Sequence, residues 1–167
     1  MTAASIAARP LTAEAFRAFG EVIEPDNCSE IRLINNGTTT RFHDIAPVDV
    51  AAGGGHALIS IFRGKPFALP LRIAMLERHP LGSQAFMPLE GRPYLVVVAP
   101  DEDGRPGAPV AFLASGAQGV SYHRGTWHHP LVALEERSDF LVVDRGGSGS
   151  NLVEVMFEEE IEITFAT

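Results

Sequence analysis

Ile161-Glu-Ile-Thr-Phe165 sets Ile161, Ile163 and Phe165 on one side of an extended chain and Glu162 and Thr164 on the other. That period of two is the pattern of a half-buried antiparallel strand. Working back along the chain, Phe140-Leu-Val-Val143, Val110-Ala-Phe-Leu113, Tyr94-Leu-Val-Val-Val98 and Ala57-Leu-Ile-Ser-Ile-Phe62 are just as short. They are rich in β-branched or aromatic residues and separated by Gly and Pro, which reads as strands and turns. No helical crossover stands between them, so a parallel α/β sheet is disfavoured and a mainly β fold, a single barrel or double-sheet jelly roll, is expected.

One short N-terminal helix is predicted in Thr12-Ala-Glu-Ala-Phe-Arg-Ala-Phe-Gly20, with a hydroxyl N-cap, an acid in its first turn and a terminal Gly. It should run about two turns, with Phe16 and Phe19 facing inward. Gly53-Gly-Gly55, Arg145-Gly-Gly-Ser-Gly149 and Asp101-Glu-Asp-Gly-Arg-Pro106 read as turns or loops. With no internal repeat and no linker, residues 1–167 form one expected domain.

A formal charge of −8, a single lysine (Lys65) and no basic cluster argue against nucleic acid as a partner. An anionic substrate would need local cations against this field. Cys28 is the only cysteine, so no intrachain disulfide forms and a reducing compartment is expected. The apolar run before Arg9 is too short for a signal-peptide core, and no stretch reaches the ~20 residues of a membrane span. The expected location is the cytoplasm, away from membranes.

Five of the six histidines fall in four polar strings: Arg41-Phe-His-Asp44, Leu76-Glu-Arg-His-Pro80, Ser121-Tyr-His-Arg124 and Trp127-His-His-Pro130. His56 reads as a loop residue. Glu77-x-His79 followed by Gln84 and Gly91 has the spacing of the first cupin motif, with two ligand positions altered. His123-Arg-Gly125-Thr-Trp-His128 has the spacing of the second, with His123 in place of proline. Side chains alternating inward from neighbouring strands would bring Glu77, His79, Gln84 and His128 together at the mouth of a cupin-like barrel. Imidazole and carboxylate suit a divalent transition metal, but Gln is a poor ligand. A histidine beside proline, as in His79-Pro80 and His129-Pro130, also hydrogen-bonds turns without further role.

Among the arginines, Arg63 and Arg145 each follow directly on an apolar strand and are the candidates for bidentate carboxylate binding. Asn35-Asn36-Gly37 reads first as a tight hairpin turn and second as an amide able to recognise urea.

These strings resemble one family, the ureidoglycolate lyases, also called ureidoglycolate hydrolases, of allantoin breakdown. The resemblance runs through Ile34-Asn-Asn-Gly37, Arg41-Phe-His-Asp44, Leu58-Ile-Ser-Ile61 with Arg63, Leu76-Glu-Arg-His-Pro-Leu-Gly82, Gln84-Ala-Phe86, Tyr122-His-Arg124, Trp127-His-His-Pro-Leu131 and Asp144-Arg-Gly-Gly147. It spans residues 10 to 165 and leaves residues 1–9 outside. It implies a single cupin-like barrel, a homodimer, and cleavage of (S)-ureidoglycolate to glyoxylate and urea. It also implies no required cofactor, with a stimulatory divalent ion such as nickel by family analogy.

The substrate implied is a small anionic ureide, a hemiaminal that needs only two proton movements to split. For that chemistry the base falls to His79 or His128, the acid to His123 or Glu77, the carboxylate to Arg63 or Arg145, and urea to Gln84 or Asn35. Glu77 and Gln84 at two cupin ligand positions favour side-chain acid–base elimination over metal-activated water. A metal-dependent amidohydrolase releasing ammonia and a non-catalytic cupin-like binding domain are the competing readings.

Overall fold

Each alternating apolar string becomes a strand in the computed structural model, which describes residues 4–165. Along the chain, β1 (Ser5–Pro10), the helix α1 (Ala13–Phe16) and β2 (Gly20–Ile23) precede a hairpin of β3 (Glu30–Ile34) and β4 (Thr39–His43). Next come β5 (His56–Gly64), β6 (Leu71–Arg78), β7 (Gln84–Pro88) and β8 (Tyr94–Ala99), then a small hairpin of β9 (Asp101–Glu102) and β10 (Arg105–Pro106). The chain ends with β11 (Val110–Ala114), β12 (Gly119–Tyr122), β13 (Trp127–His128), β14 (Val132–Ala133), β15 (Ser138–Gly146) and β16 (Val153–Phe165).

Strands β11, β1, β16, β6, β13 and β8 are hydrogen-bonded in that order, and β8 pairs back onto β11, closing a six-strand mixed barrel. β1 runs parallel to both of its neighbours, β11 and β16. The five remaining long strands form an antiparallel sheet in the order β2-β12-β7-β15-β5.

All six residues of β8 are buried, because the strand is the wall between two cores. Leu95, Val97 and Ala99 point into the barrel with Leu71, Ile73, Leu76, Trp127 and Ile163. Tyr94, Val96 and Val98 point the other way and pack on Phe86, Val120, Phe140 and Val142 of the sheet. Each large apolar side chain so enclosed contributes about 1.5–3 kcal/mol relative to exposure. The barrel interior is therefore filled with side chains, and space for chemistry lies between its outer wall and the sheet. The strand that opened the sequence reading behaves as its pattern requires: Ile161, Ile163 and Phe165 all belong to the barrel core.

The helix is shorter than expected. Thr12 caps it, its hydroxyl accepting from the Ala15 N–H at 3.2 Å, but the helix stops at Phe16 and a tight turn follows, with the Phe19 N–H on the Phe16 carbonyl at 2.8 Å. Burying Phe16 and Phe19 in the same core requires that turn, and Gly20 must then enter β2 where a Cβ would collide with the Ser121 carbonyl. β1 and β6 had no strand signal of their own. In β6, Ala74-Met-Leu-Glu-Arg78 are strong helix formers, and barrel closure overrides that preference.

Candidate functional site

β13 has only two residues, and they face opposite ways. Trp127 enters the barrel core, its indole N–H donating to Asp101 Oδ1 at 2.8 Å and its ring covered by the Arg78 guanidinium at 4.5 Å. His128 therefore faces the sheet, directly across from Glu77 of β6. Its ring stacks on Tyr122 of β12, with centroids 4.2 Å apart and planes at 13°. Burial, then the nearby Glu77 charge, holds the Tyr122 phenol far above its ordinary pKa, so it stays protonated.

His79 follows β6 directly, and its ring centroid lies 5.2 Å from that of His128. Both imidazoles are oriented by backbone carbonyls, which only accept, so the contacting ring nitrogens must donate. His79 Nδ1–H donates to the Asn151 carbonyl and His128 Nδ1–H to the Thr126 carbonyl, each at 2.8 Å. Nε2 of each neutral ring is then a bare lone pair. Both Nε2 atoms are buried without a hydrogen-bond partner, 3.8 Å (His79) and 3.6 Å (His128) from Glu77 Oε1.

These separations exceed a direct hydrogen bond, so the three groups surround a gap that a cation or a polar group of a ligand would fill. Burial pushes the Glu77 carboxyl up, but the approach of His128 and the charges of His128, His79 and His129 outweigh it and hold Glu77 below its ordinary value. Glu77 is a carboxylate near neutral pH. The donor atoms of Glu77, His79 and His128 lie within 4.8 Å of one another, a triad able to hold a metal ion. The fit is chemically sound: two imidazoles whose Nδ1–H groups are held by backbone carbonyls, beside one carboxylate, suit a divalent transition ion.

Gln84 of β7 faces the same space. Its amide N–H donates to Asp144 Oδ2 at 3.4 Å, while its buried carbonyl oxygen has no partner. Glu77 and Gln84 line an open cleft of about 330 Å³ together with Phe62, Arg63, Gly64, Phe86, Pro130 and Leu131. The four residues expected to converge do so, in the layer between barrel wall and sheet rather than at the mouth of a hollow barrel. Beside them, burial depresses the pKa of His129, which donates to the carbonyl of Pro130 at 2.8 Å as a turn histidine does.

Of the four other expected site residues, three stand elsewhere and one, Arg63, is at the cleft but already paired. His123 leaves β12 on the face opposite Tyr122; it is 45% exposed and pairs with Glu21 at 2.7 Å, so it cannot hand a proton into the cleft. Arg145 is opposite in phase to Asp144, which faces Gln84. Its guanidinium is buried under the Gly-rich loops, donating to the carbonyls of Ala52 at 3.1 and 2.7 Å and Ser148 at 2.9 Å. Arg63 reaches the cleft rim, but its guanidinium is taken up bidentately by Asp139 at 2.7 Å. Asn35 is the turn residue, at φ 54°, of the β3–β4 hairpin, with its amide on Thr39 Oγ1 at 3.2 Å.

Tyr122, Asp144 and Asn151 support the site without having been singled out. The first two lie inside strings already quoted, where position beside His123 and Arg145 was the available signal. Asn151 had none. Its carbonyl holds His79 and its side chain accepts the Leu81 N–H at 2.7 Å, a role visible only in three dimensions.

A family model described as ureidoglycolate lyase matches residues 3–164. That match takes in residues 3–9, upstream of the stretch on which the resemblance rested. The chain is 60% identical over 150 residues to the ureidoglycolate lyase of Rhizobium leguminosarum bv. trifolii (strain WSM2304), covering 90% of each chain. It is 58% identical over 155 residues to that of Brucella melitensis biotype 2, covering 93% of this chain and 91% of the relative. With the Rhizobium etli (strain CIAT 652) ureidoglycolate lyase the identity is 59% over 150 residues, again 90% of each.

Proposed function

Because the chain belongs to the ureidoglycolate lyase family, we propose that it is a carbon–nitrogen lyase of purine breakdown that splits (S)-ureidoglycolate into glyoxylate and urea in this cleft. The observation that carries the chemistry is the pair of backbone-oriented imidazoles presenting buried Nε2 lone pairs beside one carboxylate.

The substrate carbon bears a hydroxyl, a carboxylate and a ureido nitrogen. Nε2 of His79 or His128 takes the hydroxyl proton, and Glu77 stabilises the imidazolium that results. The oxygen electrons form the carbonyl of glyoxylate as the carbon–nitrogen bond breaks. The bond pair goes to nitrogen, and the imidazolium returns its proton there, releasing urea. Acid–base help of this kind supplies about 10²–10⁴-fold. The lowered pKa of Glu77 makes it the charge partner in this scheme in place of the acid. The unpartnered Gln84 carbonyl accepts from the ureido NH₂ group, in keeping with an amide recognising an amide.

Glu77, His79 and His128 would hold a divalent ion such as nickel, which would supply Lewis-acid polarisation of the substrate oxygens. In this reading the ion is stimulatory and not required, and a bound ion would take up the Nε2 lone pairs that otherwise serve as the base. No helix among the described residues is long and apolar enough to cross a membrane. The acidic charge argues against nucleic acid as a partner and the single cysteine fits a reducing compartment such as the cytoplasm, while the homodimer and the small anionic ureide substrate are what the family resemblance implies.

Incubation of the purified protein with ureidoglycolate, with and without chelator, tests the proposal. Equimolar glyoxylate and urea, with turnover persisting after chelation, is the expected outcome. Ammonia in place of urea, with loss of activity on chelation, would establish the amidohydrolase instead; saturable stabilisation by ligand without turnover would establish a binding domain.

A further inference from the structure

Among the described residues, the β3–β4 hairpin stands as an arm with little packed against it. Its two strands pack extensively only on each other and on their own turn. Nine of its ten strand residues are exposed, His43 being the partial exception. Cross-strand register sorts the arm into two faces. Ile31, Leu33, Thr40 and Phe42 share one, with Ile31 65% and Leu33 70% exposed; Glu30, Arg32, Arg41 and His43 lie on the other. A two-stranded hairpin alone in water is marginally stable at best, so an apolar arm of this kind needs a seat.

The chain offers a matching surface. β5 is the edge of the five-stranded sheet, nine residues long, and its outward residues Ile59 and Ile61 are 75% and 55% exposed. They continue across β15 as Leu141 and Val143. A long apolar edge strand left open is an invitation to edge pairing, which stable proteins cover. Ile31, Leu33 and Phe42 of the arm and Ile59 and Ile61 of β5 are all exposed, an apolar surface of the kind that interfaces between copies cover. Both surfaces belong to the same polypeptide, so two copies related by a twofold axis satisfy each other reciprocally.

The opposite side of β5 borders the cleft, through Phe62 and Gly64. A partner arm laid along the open edge of β5 extends both faces of the sheet, so its apolar face continues the Ile59 and Ile61 side while its charged face lies on the side of the cleft rim. The cleft needs a cation there. It carries the Glu77 carboxylate, with Asp144 behind Gln84, while the nearby arginines are committed: Arg63 to Asp139, Arg78 to Asp101 and Arg145 to backbone carbonyls. On the arm, Arg32 is held by Glu30, but Arg41 has no carboxylate within ion-pair distance among the described residues.

We propose that the β3–β4 arm of each protomer lies along the β5 edge of a second copy, its apolar face continuing the Ile59 and Ile61 side of that sheet, and delivers Arg41 from its charged face to that copy's cleft, where it binds the carboxylate of the substrate. The part played by Arg41 rests on the function proposed above; the seating of the arm does not.

Sedimentation tests the seating. The wild-type chain is expected to run as a dimer, and the Ile31→Glu/Leu33→Glu double variant as a monomer with an unchanged far-ultraviolet circular dichroism spectrum. A monomeric wild type, or a double variant that stays dimeric, overturns it. Subunit complementation tests the residue. Assayed at a substrate concentration near the wild-type KM, Arg41→Ala and His128→Ala are each expected to show little activity alone, but their equimolar, subunit-exchanged mixture should recover about one quarter of wild-type activity, since half the dimers then carry one intact site of two. Arg41→Ala should also raise KM more than it lowers kcat. No recovery in a mixture shown to contain heterodimers refutes delivery in trans. A wild type that turns over no ureidoglycolate refutes the lyase function and the role of Arg41 with it, while the seating still stands or falls on the sedimentation of the double variant.

Discussion

Arg145→Met separates two accounts of one residue. From its place after an apolar strand, Arg145 reads as the substrate's carboxylate anchor, and its loss would raise KM. In the structure the guanidinium is 8% exposed and makes three hydrogen bonds of 2.7–3.1 Å to the carbonyls of Ala52 and Ser148. It pins the 51–55 loop to the loop after β15. A hydrogen bond to a charged group is worth about 1.5–3 kcal/mol, but two of the three share one carbonyl and the freed carbonyls lie where water can reach them. A net loss of about 2–4 kcal/mol is expected, with the methionine stem keeping part of the packing. For a domain of this size that lowers Tm by roughly 5–15 °C. Differential scanning calorimetry and steady-state kinetics at a temperature where both proteins are folded provide the readout. Expected are a lowered Tm and a KM for ureidoglycolate within about threefold of wild type. An unchanged Tm with a KM raised tenfold or more would refute the loop-clamp account.

Glu77→Gln keeps the shape of the side chain and removes the charge beside the imidazoles, so kcat should fall by about 10²–10⁴-fold. Because the folded-state pKa of Glu77 is depressed, its contribution to stability is present above the unfolded value of 4.5 and is lost as pH falls through the folded value. Thermal melts across the acid range should therefore show a shallower loss of stability in the variant, and identical pH slopes would contradict the assignment. His123→Gln should leave kcat and KM near wild type and change stability by less than about 1 kcal/mol, as for a surface ion pair; a hundredfold fall in kcat would restore it as the acid. Gln84→Leu should raise KM by about tenfold, one hydrogen bond's worth, with a smaller change in kcat, measured by urea release against substrate concentration.

Much of the fold was legible because β-branched and aromatic runs carry local strand preference and Gly and Pro mark their ends. β6 and β13 were not: Ala-Met-Leu-Glu-Arg favours a helix locally, and a two-residue strand carries no period at all. Of the site, the convergence of Glu77, His79, Gln84 and His128 was readable from spacing, since near neighbours on adjoining strands meet whatever the detailed topology.

The facing of residues at strand ends was harder. Phe140-Leu-Val-Val143 is apolar at every position, so alternation cannot tell which residues face the core, and Asp144 and Arg145 inherit that ambiguity. Only packing against β8 and the register with β7 point Phe140, Val142 and Asp144 inward and turn Arg145 outward. The same one-residue phase puts Tyr122 under His128 and leaves His123 with Glu21.

The alternation that opened the reading, Ile161-Glu-Ile-Thr-Phe165, could be phased because only one of its faces is apolar. By itself the amino-acid sequence determined the β class, the family and the convergence of Glu77, His79, Gln84 and His128, all of which are local in composition or spacing. The tertiary structure decided which charged groups enter the cleft, because a strand buried on both faces has a phase that only its neighbours set.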